Sequence, residues 1–173
     1  EYQLLTIKNS NPRYQANVQT YTFSKGGRKI YDIVFQVSNH DIAFKYRVYS
    51  QDNILCCIVK KEATGFMLPE GSTTFLCPQA APMGGFARTS PSYETSYTVD
   101  DVTGKNGWGN GYTFPCLFKN EDKGWILISE TGVSSAYCGS RLLGKENGLY
   151  TIGFPQEGEY NGNGTVSPGM ALP

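Results

Sequence analysis

The 173 residues carry 15 Lys and Arg against 15 Asp and Glu, and this zero formal charge leaves no electrostatic footprint for nucleic acid or an anionic membrane surface. The longest apolar run, Ile54 to Val59, falls far short of the roughly 18 residues that a spanning helix needs. The length suits one domain with its own core, and 12 Tyr, 9 Phe, 20 Gly and 9 Pro scattered among short apolar runs point to an all-β chain of strands and turns.

In chain order, residues 2 to 8 (YQLLTIK) and 14 to 23 (YQANVQTYTF) read as strands on either side of the turn cluster at 9 to 12. Gly26-Gly27 offers the positive φ of a tight hairpin. Strict alternation follows twice. Tyr31, Ile33, Phe35 and Val37 oppose Asp32 and Gln36, and Ile42, Phe44, Tyr46 and Val48 oppose Lys45 and Arg47. Between them, His40 sits in a polar turn and reads as a solvated loop residue with no chemistry assigned. Ile54 to Lys60 is a continuously apolar, more buried strand. Short strands are expected at Phe66 to Leu68 and Thr73 to Leu76, and a weak alternation at Tyr93 to Val99 follows a loop rich in Pro, Ala and Gly.

Residues 104 to 111 (GKNGWGNG) are rich in glycine but lead into a strand and lack the GK[ST] ending, which rejects a phosphate-binding loop. Trp108 between two glycines offers a platform for stacking on a sugar face, the competing reading being a ring folded back onto the core. Next come two apolar runs, Phe114 to Phe118 and Trp125 to Ser129, around the polar NEDKG segment, a hairpin by composition. This hairpin delivers Glu130 to the end of the sheet, where Thr131-Gly132 stops the strand. Residues 134 to 143 and 149 to 154 should form two further strands, and the Pro- and Gly-rich tail from 155 to 173 reads as an irregular exit.

Few side chains could do chemistry. Cys56, Cys57, Cys77, Cys116 and Cys138 show no CxxC spacing, and with a single histidine they make no zinc site, so buried thiols are expected. Asp100-Asp101 and Glu121-Asp122 lie in turns or at strand ends, where neighbouring carboxylates point apart.

NGYTFPCLF, GWILISETGV, YCGSRL and the SPGMALP exit, with IAFKYRVYS and SYETSY before them, resemble the amino-terminal domain of glycoside hydrolase family 97. The similarity runs from about residue 30 to 173 and is strongest from 110 to 141. It implies an antiparallel β-sandwich, part of a β-super-sandwich, spanning 1–173 as a single domain truncated at its start. It further implies an exo-acting α-glycosidase parent of α-glucosidase or α-galactosidase type, inverting or retaining, bacterial, and periplasmic or secreted. In that family a glutamate of the amino-terminal domain reaches the active site of the catalytic (β/α)8 barrel and helps to bind calcium, and Glu130 in ISETG matches its position. Calcium takes six to eight oxygen ligands. The expected partners are therefore the barrel of the same polypeptide and, in the full-length enzyme, an oligosaccharide. The fragment itself is expected to be inactive and to hold calcium weakly or not at all. The alternatives are an independent carbohydrate-binding β-sandwich using exposed aromatics such as Trp108, and a purely structural domain.

Overall fold

The computed structural model describes residues 13–51, 57–59, 61–78, 111–132, 139–144, 148–154 and 170–172. They form antiparallel β-strands, with no α-helix among the described residues, in two units, Glu1–Cys56 and Cys57–Pro173.

The first unit is a three-stranded meander of β1 (Asn17–Lys25), β2 (Arg28–Val37) and β3 (Ile42–Val48). Gly26 and Gly27, at φ 59° and 78°, make the two-residue connection in which Lys25 pairs with Arg28. Two consecutive positive φ values give the turn a twist matching that of its strands, and only small or glycine residues tolerate them. The register aligns Tyr21, Ile33 and Tyr46 in one row and Phe35 with Phe44 in the next. On this face Phe23 stacks on Tyr31 at 4.6 Å, and Tyr21 meets Phe35 edge-on at 6.1 Å. Cross-strand pairs of this kind each stabilise a sheet by about 0.2–1 kcal/mol.

The alternation places side chains as expected, but it does not sort them by burial. Tyr21 and Ile42 remain 52% and 70% exposed, whereas Asp32 on the opposite face is 3% exposed. Asp32 is covered because Tyr49, whose N–H donates to Ile30 O at 3.0 Å just beyond β3, turns its hydroxyl to donate to Asp32 Oδ2 at 2.5 Å. Gln51 Nε2 secures the same segment by donating to the Lys29 and Tyr49 carbonyls, both at 3.0 Å. The Tyr49 hydrogen bond, followed by one from Thr22, and the charges of Lys29 and Arg47 hold the Asp32 carboxyl below its ordinary value of 3.8, against the opposing effect of burial. A carboxylate whose folded pKa is depressed adds stability that is present above its unfolded pKa and is lost as pH falls through the folded one. Asp32→Asn should therefore flatten the acid limb of thermal stability. A melting series from pH 6 to pH 3 is expected to show the wild type losing more than the variant below about pH 4.

The second unit contains a larger sheet in the order β5 (Gly65–Met67), β10 (Leu149–Gly153), β9 (Arg141–Gly144), β7 (Tyr112–Asn120) and β6 (Ser72–Pro78), with β8 (Gly124–Ile128) also paired to β7. The expected hairpin is present with its pairing shifted towards the turn, from Cys116 with Ile128 at one end to Asn120 with Gly124 at the other. Alternate residues of this sheet make the core: Leu76, Cys116, Phe118 and Leu142 are fully buried, with Tyr112, Ile128, Tyr150 and Leu68 around them. Phe118 meets Tyr150 edge-on at 5.1 Å and ties the hairpin to β10.

Two boundaries differ from expectation. Of the strand expected at 134 to 143, Arg141–Gly144 is β9 and residues 134 to 138 lie outside the described residues; Gly139 and Ser140 precede the strand, the backbone N–H of Ser140 being directed to a side chain instead of a neighbouring strand. Of the expected strand 54 to 60, Cys57–Val59 is β4, and it pairs with β11 (Met170–Leu172) from the tail that was expected to be irregular. A run of three apolar residues near the chain end carries almost no period, so only its partner reveals it. The expected strands at 2 to 8 and 93 to 99 lie outside the described residues.

Candidate functional site

Glu130 lies two residues beyond β8, at the end of the hairpin where the register predicts it. It is half-buried, and Ser140, ten positions later in the sequence, holds its carboxylate. The Ser140 N–H donates to Oε1 at 3.2 Å and to Oε2 at 3.4 Å, and the Ser140 hydroxyl donates to Oε2 at 2.8 Å. Hydrogen bonds to an ionised acceptor are about twice as strong as neutral ones.

Ser140 is held in turn by the residues that follow it. Arg141, 4% exposed, opens β9 and donates from Nη2 to the Phe154 carbonyl at 3.3 Å. Leu142 is fully buried between Tyr112 of β7 and Ile152 of β10. On the β7 side the chain passes very close. Gly111 has φ 134°, and a β-carbon there would lie 2.8 Å from the Leu142 carbonyl oxygen. The site is thus a hard-oxygen set, one carboxylate and one hydroxyl, at a corner fixed by three strands.

This oxygen set suits calcium in kind but falls short in number, since calcium takes six to eight ligands. No cluster of three or more His, Cys, Asp or Glu occurs among the described residues. The described cysteines lie away from the corner. Cys116 is buried in the core beside Cys77, and burial foremost, with that neighbour, pushes its thiol up to about 12. Both are the buried thiols expected, whereas Cys56 and Cys138, and the side chain of Cys57, lie outside the described residues. His40 is exposed, as expected of a loop residue, in a turn closed by its own N–H and that of Asp41 donating to Ser38 Oγ. Glu121 sits in the hairpin turn, paired with Lys123 at 3.7 Å across exposed surface.

Trp108, the expected stacking platform, lies outside the described residues. An exposed indole does occur elsewhere: Trp125, 58% exposed, packs at 5.5 Å from Phe75 and has the Lys119 ammonium 5.9 Å from its ring centre. Ser140 and Arg141 were not singled out in the sequence. They stand in the YCGSRL segment, but nothing in their spacing shows that Ser140 meets a glutamate ten residues earlier.

Comparison with known proteins bears on this arrangement. The family described as Glycosyl-hydrolase 97 N-terminal matches residues 1–168. The chain belongs to that family. The glycosyl-hydrolase 97 N-terminal match takes in the residues before 30 that the motifs alone did not reach. Among curated proteins none matches. A solved structure of a beta-arabinopyranosidase is 49% identical and superposes with a TM-score of 0.82, covering 99% of this chain. The chain spans 28% of the length of that structure's chain.

Proposed function

We propose that these residues form the non-catalytic amino-terminal domain of an exo-acting glycosidase, which packs on the catalytic (β/α)8 barrel of the same polypeptide and donates the Glu130 carboxylate to a calcium site there. The observation that carries this reading is the corner itself. A carboxylate at a strand end is oriented by two donors from Ser140, yet the described residues around it supply neither an acid/base partner nor a complete ligand set. On this reading the carboxylate so held is one ligand of a site whose other members the barrel supplies. Bound calcium would supply positive charge for orienting substrate oxygens, while the part of this chain is to present one anionic ligand from a rigid corner.

Glu130→Gln in the full-length protein tests the assignment. The exchange keeps the shape and removes the charge, so calcium affinity measured by titration after chelation should fall by more than about 10-fold. Wild-type affinity in the variant would sink the assignment.

For the parent's substrate we infer a pyranoside with galacto rather than gluco configuration. Support comes from the similarity to a beta-arabinopyranosidase. In the L series, a β-arabinopyranoside is an α-D-galactopyranoside without the exocyclic hydroxymethyl group. One pocket geometry can therefore accept both, whereas an α-glucopyranoside inverts the C4 hydroxyl. Nitrophenyl glycosides of the three sugars compared in the full-length protein check this, and faster turnover of the α-glucoside would refute it.

An independent carbohydrate-binding module draws support from exposed aromatics among the described residues, of which Trp125 is the one indole. Lys119 stands over that ring, and a sugar would have to displace a cation–π contact worth about 0.5–1 kcal/mol at an exposed site.

A further inference from the structure

The Glu130 carboxylate has a defined orientation for a reason that lies ten residues away. A glutamate beyond the end of a strand has three side-chain torsions to fix, and ordering a long polar side chain costs conformational entropy. Contacts from Ser140 restrict that freedom. The Ser140 N–H spans both carboxylate oxygens at 3.2 and 3.4 Å, and its hydroxyl reaches Oε2 at 2.8 Å. One donor alone would leave the carboxylate able to swivel about its contact. Two donors of fixed relative position define both the place and the plane of the group.

The clamp is only as firm as Ser140, and Ser140 is firmly placed. It directly precedes β9, whose first residue, Arg141, is buried and donates to the Phe154 carbonyl, and whose second, Leu142, is fully buried between β7 and β10. The position of the carboxylate is therefore referenced to the core of the sheet, across the segment from 131 to 139.

We propose that Ser140 is a positioning residue that sets the orientation in which Glu130 meets calcium. This rests on the calcium reading of Glu130 given above. Ser140 acts through Glu130, in the way that hydrogen-bonding partners behind metal ligands do, and the loss of such partners typically costs 10- to 100-fold in metal affinity.

The experiment is a double-mutant cycle in the full-length protein, read as calcium affinity by isothermal titration after chelator stripping. Ser140→Ala removes the hydroxyl donor and should weaken calcium binding by about 10-fold or more. Ser140→Thr keeps an oxygen at the same place and should restore affinity to near the wild-type value. In the Glu130→Gln background, Ser140→Ala should add little further loss, because residues acting through one another are not additive. Wild-type affinity in Ser140→Ala overturns the proposal, and so does an equal loss in both backgrounds, which marks a purely structural role. Glu130→Gln with unchanged affinity would instead remove the calcium reading itself, and the Ser140 assignment would fall with it.

Discussion

Phe118→Ala is expected to lower the stability of the Cys57–Pro173 unit by about 3–5 kcal/mol. Phe118 is fully buried at the middle of the β7–β8 hairpin and holds β7 to β10 through its edge-on contact with Tyr150. Its truncation removes apolar burial, leaves a cavity, and forfeits a ring pair worth about 0.5–1.5 kcal/mol beyond area. The cavity should persist, because Leu76, Cys116 and Leu142 around it are themselves fully buried on paired strands that cannot close inward without breaking their ladders. Phe118→Leu, which keeps most of the volume, should cost less than half as much. Denaturant midpoints for the two variants, with amide exchange followed in β6, β7 and β8, measure the difference. A Phe118→Ala variant no weaker than Phe118→Leu would show that this sheet does not depend on the ring.

That core was largely readable before the strands were placed. Phe114 to Phe118 and Trp125 to Ser129 are separated by a polar, Gly-ended loop, and the hairpin follows from local chemistry alone. The same holds for β2 and β3, whose alternation fixes which residues share a face. Periodicity does not fix which face is covered. Asp32 has the pattern of a solvated residue and becomes buried because Tyr49, seventeen positions later, reaches it. Long-range partners account for the other differences too. Met170–Leu172 is a strand only because Cys57–Val59 lies beside it, and Ser140 is not a strand residue because Glu130 takes its donors. At the site, the position of Glu130 followed from the hairpin and its identity from the resemblance, while the clamp that orients it comes from Ser140, ten residues later, whose type and spacing give no sign of the contact. The family assignment was readable from motifs clustered between 110 and 141, which are the residues that build this corner.

The same corner should be the least tolerant of added bulk. Gly111→Ala is expected to destabilise the unit by several kcal/mol, from two independent causes. The first is conformational: at φ 134° an L-residue with a β-carbon is outside its allowed regions, at a cost of about 1–3 kcal/mol. The second is steric. The new methyl would stand 2.8 Å from the Leu142 carbonyl oxygen and 2.9 Å from Leu143 Cδ2. The leucine side chain can yield, but the carbonyl belongs to β9 and can move only with the strand, so relief comes through a backbone shift costing about 1–3 kcal/mol more. Gly111→Asn separates the two causes from a simple left-handed turn, since asparagine eases φ near 57° and not near 134°; it should be no better tolerated than alanine. Any shift of β9 carries Ser140 with it, immediately before Arg141. Gly111→Ala should therefore also weaken calcium binding in whatever fraction remains folded, although Gly111 is not among the residues seen to touch Glu130. Thermal unfolding and calcium titration of the full-length variant test both consequences together. A normal melting temperature would refute the steric argument, and a lowered one with unchanged calcium affinity would show that the clamp does not take its position from β9.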